Sequence, residues 1–383
     1  MKKIQVPSRM WKWRGESPPE EGDEEHIELL LNPQQYIRAM NLIRRDLKKQ
    51  KINYKNITHL CILEKDTPVA IHCKAVPGKN GVNINGEEIP CKIKQHDSIK
   101  IGDNLLMNES GYILCATQGE YIFENGTIAI NEVLTIRKGV NYHTGNIHFP
   151  GAEEIYGEVK DGFKIQAGKD LHVYETLTAT DVLCGGSLTV HGGGIIGRKE
   201  HKVIVEETAA ANFIERVHLE AKKGIRIKKE AYLSRLYTNG KVIFQPGGKL
   251  IGGETYSQNG LEVDQLGNGK YLKTEVYAGI DYKLMKMLIQ IKSFRDSLLD
   301  LKTLKSDNGK ENYDEQILKC NLSMEYLLEH LDHDENAEIT VAGTVYPGTV
   351  IHICNARRPI TEEMKKGTFK LDKEKGVIAF NRF

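Results

Sequence analysis

The stretch "GKDLHVYETLTATDVLCGGSLTV", residues 168–190, decides the fold. It has glycine turns at Gly168 and at Gly185–Gly186, each followed by a short alternating strand. Leu171 and Val173 flank His172, and Leu188 and Val190 flank Thr189. Side chains alternate with a period of two along a strand, so each aliphatic pair shares one face and the residue between them points to the other. The inner face is therefore aliphatic and the outer face polar.

The same unit recurs on both sides as GNIHF at 145, KGIRI at 223, GKVIF at 240 and NGLEV at 259, with intervals of about 16–20 residues or double that. Second strands such as TLTATDVLC, FIERVHLEA and AYLSRLYTN lie between them. Gly139 to Gly279 contains 22 of the 36 glycines, which suit the corners of such coils. No single unit can bury its own apolar face, so the repeat implies a solenoid of stacked coils, a parallel β-helix. The 3.6-residue period of a helical solenoid is absent from this region.

The flanking segments differ in kind. Residues 1–25 include "RMWKWRGESPPEEGDEEH" and read as a mobile tail; its Trp11 and Trp13 suit either a partner-binding peptide or a clasp on the folded body. In "NPQQYIRAMNLIRRDLKKQ", Asn32 is the expected N-cap and Pro33 the first helical residue. This helix and the following ITHLCIL strand predict an α+β domain over 26–138, before a β-helix over 139–280.

A different period follows the solenoid. In "DYKLMKMLIQIKSFRDSLLDLKTL", Leu284, Ile291 and Leu298 occupy one heptad position, and Met287, Phe294 and Leu301 another. After the polar SDNGKEN loop, Ile317, Cys320, Met324, Leu327 and Leu331 continue the spacing. The pattern predicts an antiparallel coiled-coil hairpin over 281–335, each helix reaching roughly 35 Å at 1.5 Å per residue. Beyond it, 336–383 returns to β pattern and is expected to stack on the β-helix.

Taken in order, "AVPGKNGVNINGEEI" (75–89), "GVNYHTGNIHFPGAEEIYGEVKDGFKIQAGKDLHV" (139–173), "GGGIIG" (192–197) and "KLIGGETYS" (249–257) carry a resemblance. From about residue 26 to the C-terminus the chain resembles the flagellar assembly protein A family, a bacterial group. The resemblance implies a right-handed β-helix and a role in flagellar assembly or cell-pole organisation. It supplies no catalytic residues.

Composition narrows the chemistry. The net charge is +1 and charged residues make up 27% of 383, so no strong field draws the chain to nucleic acid or anionic membrane. No span of eighteen apolar residues occurs, and no export signal is expected. Seven scattered cysteines without a CxxC pair read as thiols of a reducing cytoplasm.

The run "HGGGIIGRKE" lacks the GK[ST] ending of a phosphate loop and reads as corner glycines. His143, His148, His172 and His191 show no fixed ligand spacing and read as solvated. Asp161, Asp170 and Asp181 read as turn residues rather than a clustered acid–base set. No cofactor or metal is expected.

Two candidate contact surfaces remain. Lys222, Lys223, Arg226, Lys228, Lys229, Arg235 and Lys241 could form a patch for an anionic partner, or a solubilising exterior interleaved with Glu220 and Glu230. The hairpin, through Leu284, Ile291, Leu298, Ile317, Met324 and Leu331, is the candidate docking arm, for a protein partner or for self-association. The expectation is a cytoplasmic, non-enzymatic scaffold acting through protein contacts, with no nucleic-acid partner. The alternatives are a polysaccharide-acting or polysaccharide-binding β-helix and a bactofilin-like polymer former.

Overall fold

The computed structural model describes residues 17–47, 60–83, 85–198, 201–304, 310–329 and 333–383. It divides into two compact units, one ending at Val133 and the other running from Leu134 to Phe383. The boundary expected at 138/139 therefore falls earlier. Its cause is the strand Val133–Ile136, which already belongs to the long solenoid sheet.

In the N-terminal unit, α1 (Pro33–Leu47) begins where the sequence indicates. Asn32 Oδ1 accepts the backbone N–H groups of Gln34 (3.0 Å) and Gln35 (3.3 Å), satisfying two donors of the first turn. One four-stranded sheet contains His26–Leu29, Pro68–Cys73, Tyr112–Cys115 and Leu105–Met107; another contains Ile62–Leu63, Gly119–Glu124, Thr127–Asn131 and Lys100–Ile101. Val69, Ala70, Ile113, Tyr121 and Ile128 form the core, and Tyr36 and Ile37 of α1 pack on it. Part of the segment expected as a tail over 1–25 is paired instead. Ser17, Glu20 and Asp23 bridge to Val82, Lys79 and Val76, and Gly22–Asp23 pairs in parallel with Ile93–Lys94. Trp11 and Trp13 lie outside the described residues.

The second unit is a parallel β-solenoid whose register turns the sequence repeat into columns. One inward column runs Ile147, Ile165, Val182, Val203, Leu219, Leu236, Thr255, Val276, Ile351. A second runs Glu153, Leu171, Leu188, Ala209, Ile225, Val242, Leu261, Ile339. A third begins Val159, Leu177, Ile195, Ile214, Ala231 and Leu250. Every one of these side chains is buried, as the alternation requires. Every strand interior to the stack is paired with a coil on each side, so hydrogen bonding and aliphatic burial reinforce one another.

The glycines of "HGGGIIG" are corners, as expected. A Cβ on Gly192 or Gly197 would run into the carbonyl of Tyr174 or Arg216 on the neighbouring coil. At the far end the pairing becomes antiparallel, with Met364–Asp372 on Ile339–Val345, Ala356–Pro359 on Thr349–Ile353, and Val377–Arg382 outermost. The C-terminal segment thus covers strand edges that the last coils would otherwise expose.

One inward position breaks the pattern. Glu153 is fully buried and neither carboxylate oxygen has a hydrogen-bond partner. Burial pushes its pKa from 4.5 up to about 8, so it is held as the neutral acid at pH 7.

Candidate interaction surface

The arm consists of α2 (Tyr282–Leu304) and α3 (Lys310–Glu329) and is rooted on the solenoid. Asp281 is its N-cap: Oδ1 accepts the N–H groups of Lys283 (2.7 Å) and Leu284 (3.3 Å). The other carboxylate oxygen accepts from Asn239 Nδ2 at 2.8 Å, and the Asn239 side-chain carbonyl accepts from Tyr282 N at 3.3 Å. A solenoid corner therefore grips the first helical turn. Gly279, at φ +82, makes the bend into the arm, and the returning chain closes the root where Asp334 N–H donates to Gly279 O at 2.9 Å.

The seat is an outward column of the solenoid. Glu220, Tyr237, Tyr256, Tyr277 and His352 stand in register on successive coils. Their rings stack at 5.1, 4.3 and 4.3 Å from Tyr237 to His352. Tyr282 packs on Tyr237 at 5.9 Å, and Met285 joins the cluster. Lys286 Nζ lies 5.1 Å from the centre of the Tyr237 ring and pairs with Glu220. His218 Nε2 bonds the same carboxylate at 2.7 Å. The hydrogen bond from His218, and then Lys286, hold the Glu220 carboxyl at about 2, well below its ordinary 4.5.

Beyond the root, the heptads divide. Leu298 and Cys320 are buried where the helices meet, while Leu284, Ile291, Ile317 and Met324 are half-buried. Leu331 lies outside the described residues. The other heptad line is left largely uncovered: Met287, Phe294 and Leu301 are 53%, 56% and 45% exposed. Leu318, Leu322 and Tyr326 of α3 are exposed as well. A groove of about 420 Å³ runs between the helices at mid-arm, with Ile291 and Phe294 on one wall and Cys320 and Ser323 on the other. The arm's root is fixed and its distal length carries uncovered apolar side chains.

The basic stretch is arranged differently from a uniform patch. Lys222 pairs with Glu206, Lys223 with Glu207 and Lys241 with Glu262, each carboxylate coming from a neighbouring coil. Glu254 stands in register beside Arg235. Arg226, Lys228 and Lys229 are exposed. Charges of both signs therefore interleave across this face.

The structure also brings together residues that the sequence reading kept apart. Asp161 and Asp181 both approach His201, at 3.8 and 3.4 Å, and are further paired with Arg198 and Lys164. Asp170 does serve a turn, accepting Ser187 N–H at 2.7 Å. His172 Nδ1 and His191 Nε2 are 3.2 Å apart, in an aromatic stack continuing through Tyr174 to Tyr156.

In the N-terminal unit the donor atoms of Asp23, His26 and His96 lie within 4.8 Å of one another, as do those of His26, Glu28 and Cys73. The His26 and His96 rings are parallel within 3° and 3.6 Å apart, which sets their nitrogens side by side instead of converging on a shared point. His96 Nε2 bonds Asp23 Oδ1 at 2.6 Å, and His26 Nδ1 lies 2.7 Å from the Glu24 carbonyl. The arrangement works as a polar staple between two segments. Sequence reading missed it because its members come from distant stretches.

The Flagellar Assembly Protein A beta solenoid domain matches residues 132–377, and the Flagellar Assembly Protein A N-terminal region matches residues 15–126. The chain belongs to the Flagellar Assembly Protein A family. The break between the two matched regions agrees with the boundary between the two compact units. The arm lies inside the Flagellar Assembly Protein A solenoid segment and interrupts its strands. No curated protein and no solved structure matches the chain. Among the described residues, no helix is long and apolar enough to cross a membrane.

Proposed function

We propose that this chain is a cytoplasmic scaffold for flagellar assembly that works through protein contacts, with the α2–α3 arm as its docking element. The observation that carries this reading is the contrast within the arm. Its root is locked by Asp281, Tyr282 and Lys286, while Met287, Phe294 and Leu301 form an exposed apolar line beyond it. A helix that is apolar beyond one face is normally covered, and α3 covers only one side of α2. The solenoid supplies a rigid base because each coil is tied to its neighbours. The antiparallel C-terminal strands favour a discrete particle over a polymer extended from that end.

The test replaces residues 288–327 by a short glycine–serine linker, which keeps Tyr282, Met285 and Lys286 on their seat. The solenoid is expected to melt within a few degrees of the intact protein. Flagella, counted by electron microscopy in the native cell, are expected to be lost or misplaced. Normal flagella with the shortened arm would refute the docking role.

A further inference from the structure

The arm's two helices differ in charge. Over Tyr282–Leu304, α2 carries five basic and two acidic side chains, a net of +3. Over Lys310–Glu329, α3 carries two basic and five acidic side chains, a net of −3. Within one hairpin each helix meets its opposite on a single flank. Lys302 pairs with Asp314 there. Among the described residues of this unit, the other flank of each helix has no helical neighbour, and it is there that a second apolar line is wanted.

We infer, resting on the docking role above, that the partner of the arm is the arm of a second copy of this chain. The two hairpins associate into a four-helix bundle in the cyclic order α2, α3, α2′, α3′, with the two-fold axis along the arm. In that order both neighbours of every helix have the opposite net charge. Every neighbouring pair is also antiparallel, which sets the helix dipoles favourably. The mid-arm groove between Ile291, Phe294, Cys320 and Ser323 receives side chains from the second copy. The exposed Met287–Phe294–Leu301 line then becomes bundle core. A different protein in the groove would need its own alternation of apolar and charged helices. The chain already has both halves of that alternation.

The test uses the full-length protein and measures mass in solution by light scattering and sedimentation. The intact chain is expected to be a dimer at micromolar concentration. Phe294→Asp should weaken association at least about tenfold, because it places a charge in a desolvated seam. Its solenoid melting should not change. A charge-swap pair separates self-association from nonspecific stickiness. Lys292→Glu with Arg295→Glu brings α2 to a net of −1, and Glu315→Lys with Glu325→Lys brings α3 to +1. Each double variant alone has two like-charged helices and is expected to be monomeric. Mixed together, the two are expected to form a heterodimer.

A monomeric intact protein overturns the inference. So does a dimer that survives both Phe294→Asp and replacement of residues 288–327, or a charge-swap pair that fails to combine. Monomeric intact protein with arm-dependent flagella would refute self-association alone; normal flagella without the arm would refute the docking role on which it rests.

Discussion

Replacing Glu153 by glutamine probes the logic of the solenoid interior at the one fully buried carboxylate among the described residues. Glu153 occupies a column position where the following coils place Leu171, Leu188, Ala209 and Ile225. Its carboxyl is fully buried without a hydrogen-bond partner, and its pKa is raised from 4.5 to about 8. In the unfolded chain the group ionises near its ordinary value, so between 4.5 and 8 the folded state binds the extra proton. Stability from this group is therefore whole below 4.5 and declines as pH rises through 8. A tenfold difference in proton affinity between the folded and unfolded chain is worth about 1.4 kcal/mol, so the loss is about 3 kcal/mol by pH 7 and about 5 kcal/mol once the folded group ionises. Glutamine keeps the shape and removes the titration. The difference in unfolding free energy between Glu153→Gln and the parent should grow with pH by those amounts, a rise of roughly 5–10 °C in the relative melting temperature by pH 7. Urea unfolding from pH 4.5 to 8.5, followed by far-ultraviolet circular dichroism, measures it. Groups common to both proteins cancel in the difference. The tryptophans lie at residues 11 and 13, so the strand signal is the proper probe of the solenoid. A difference that stays flat with pH, or falls, would refute the burial argument.

Glu220→Gln should have the opposite pH dependence. The depressed pKa contributes stability above 4.5 that is lost as pH falls toward 2, so the variant should be less stable by about 2–3 kcal/mol at pH 7 and converge on the parent in acid, as urea unfolding across that range would measure. Removing Ala356–Phe383 uncovers the edges of Ile339–Val345 and Thr349–Ile353 and should cause concentration-dependent aggregation seen by light scattering; a soluble, monodisperse product would show that the edges need no cover. Spin labels at Lys283, near the root, and at Thr303, near the tip, should both give short distances between copies if the two-fold axis follows the arm. A head-to-tail pairing would instead separate like labels by about the 35 Å length of α2.

The coils were legible because a period of two and a regular glycine spacing are local signals. Glu153 carried such a signal too: it shares parity with the inward Ile155, which alone marks it as an interior carboxylate. The basic stretch was visible as a run, but its partners Glu206, Glu207 and Glu262 sit one coil away and can be matched only once the register is known. The heptads gave the arm its two helices without saying which apolar line faces inward. Leu298 and Phe294 belong to lines of equal apolar character, and only the packed hairpin distinguishes the buried from the exposed one. The pairing of Ser17, Glu20 and Asp23 is hidden within a tail-like composition because their bridge partners lie beyond residue 75.

The seat of the arm follows from the same register. One outward column reads His148, Gln166, Leu183 and Ile204 over its first coils, then Glu220, Tyr237, Tyr256, Tyr277 and His352. An outward tyrosine ladder left bare would expose ring faces and edges that gain from burial. The column turns aromatic on the coils from which the arm emerges, and Tyr282, Met285 and Lys286 cover it there. The solenoid thus fixes the direction in which α2 leaves the body. Because that direction is set by buried rings and an ion pair rather than by a loop, the exposed line from Met287 to Leu301 is held in a defined orientation. A contact surface held in this way loses little freedom on binding, which is the physical advantage of mounting it on an arm with a built-in seat.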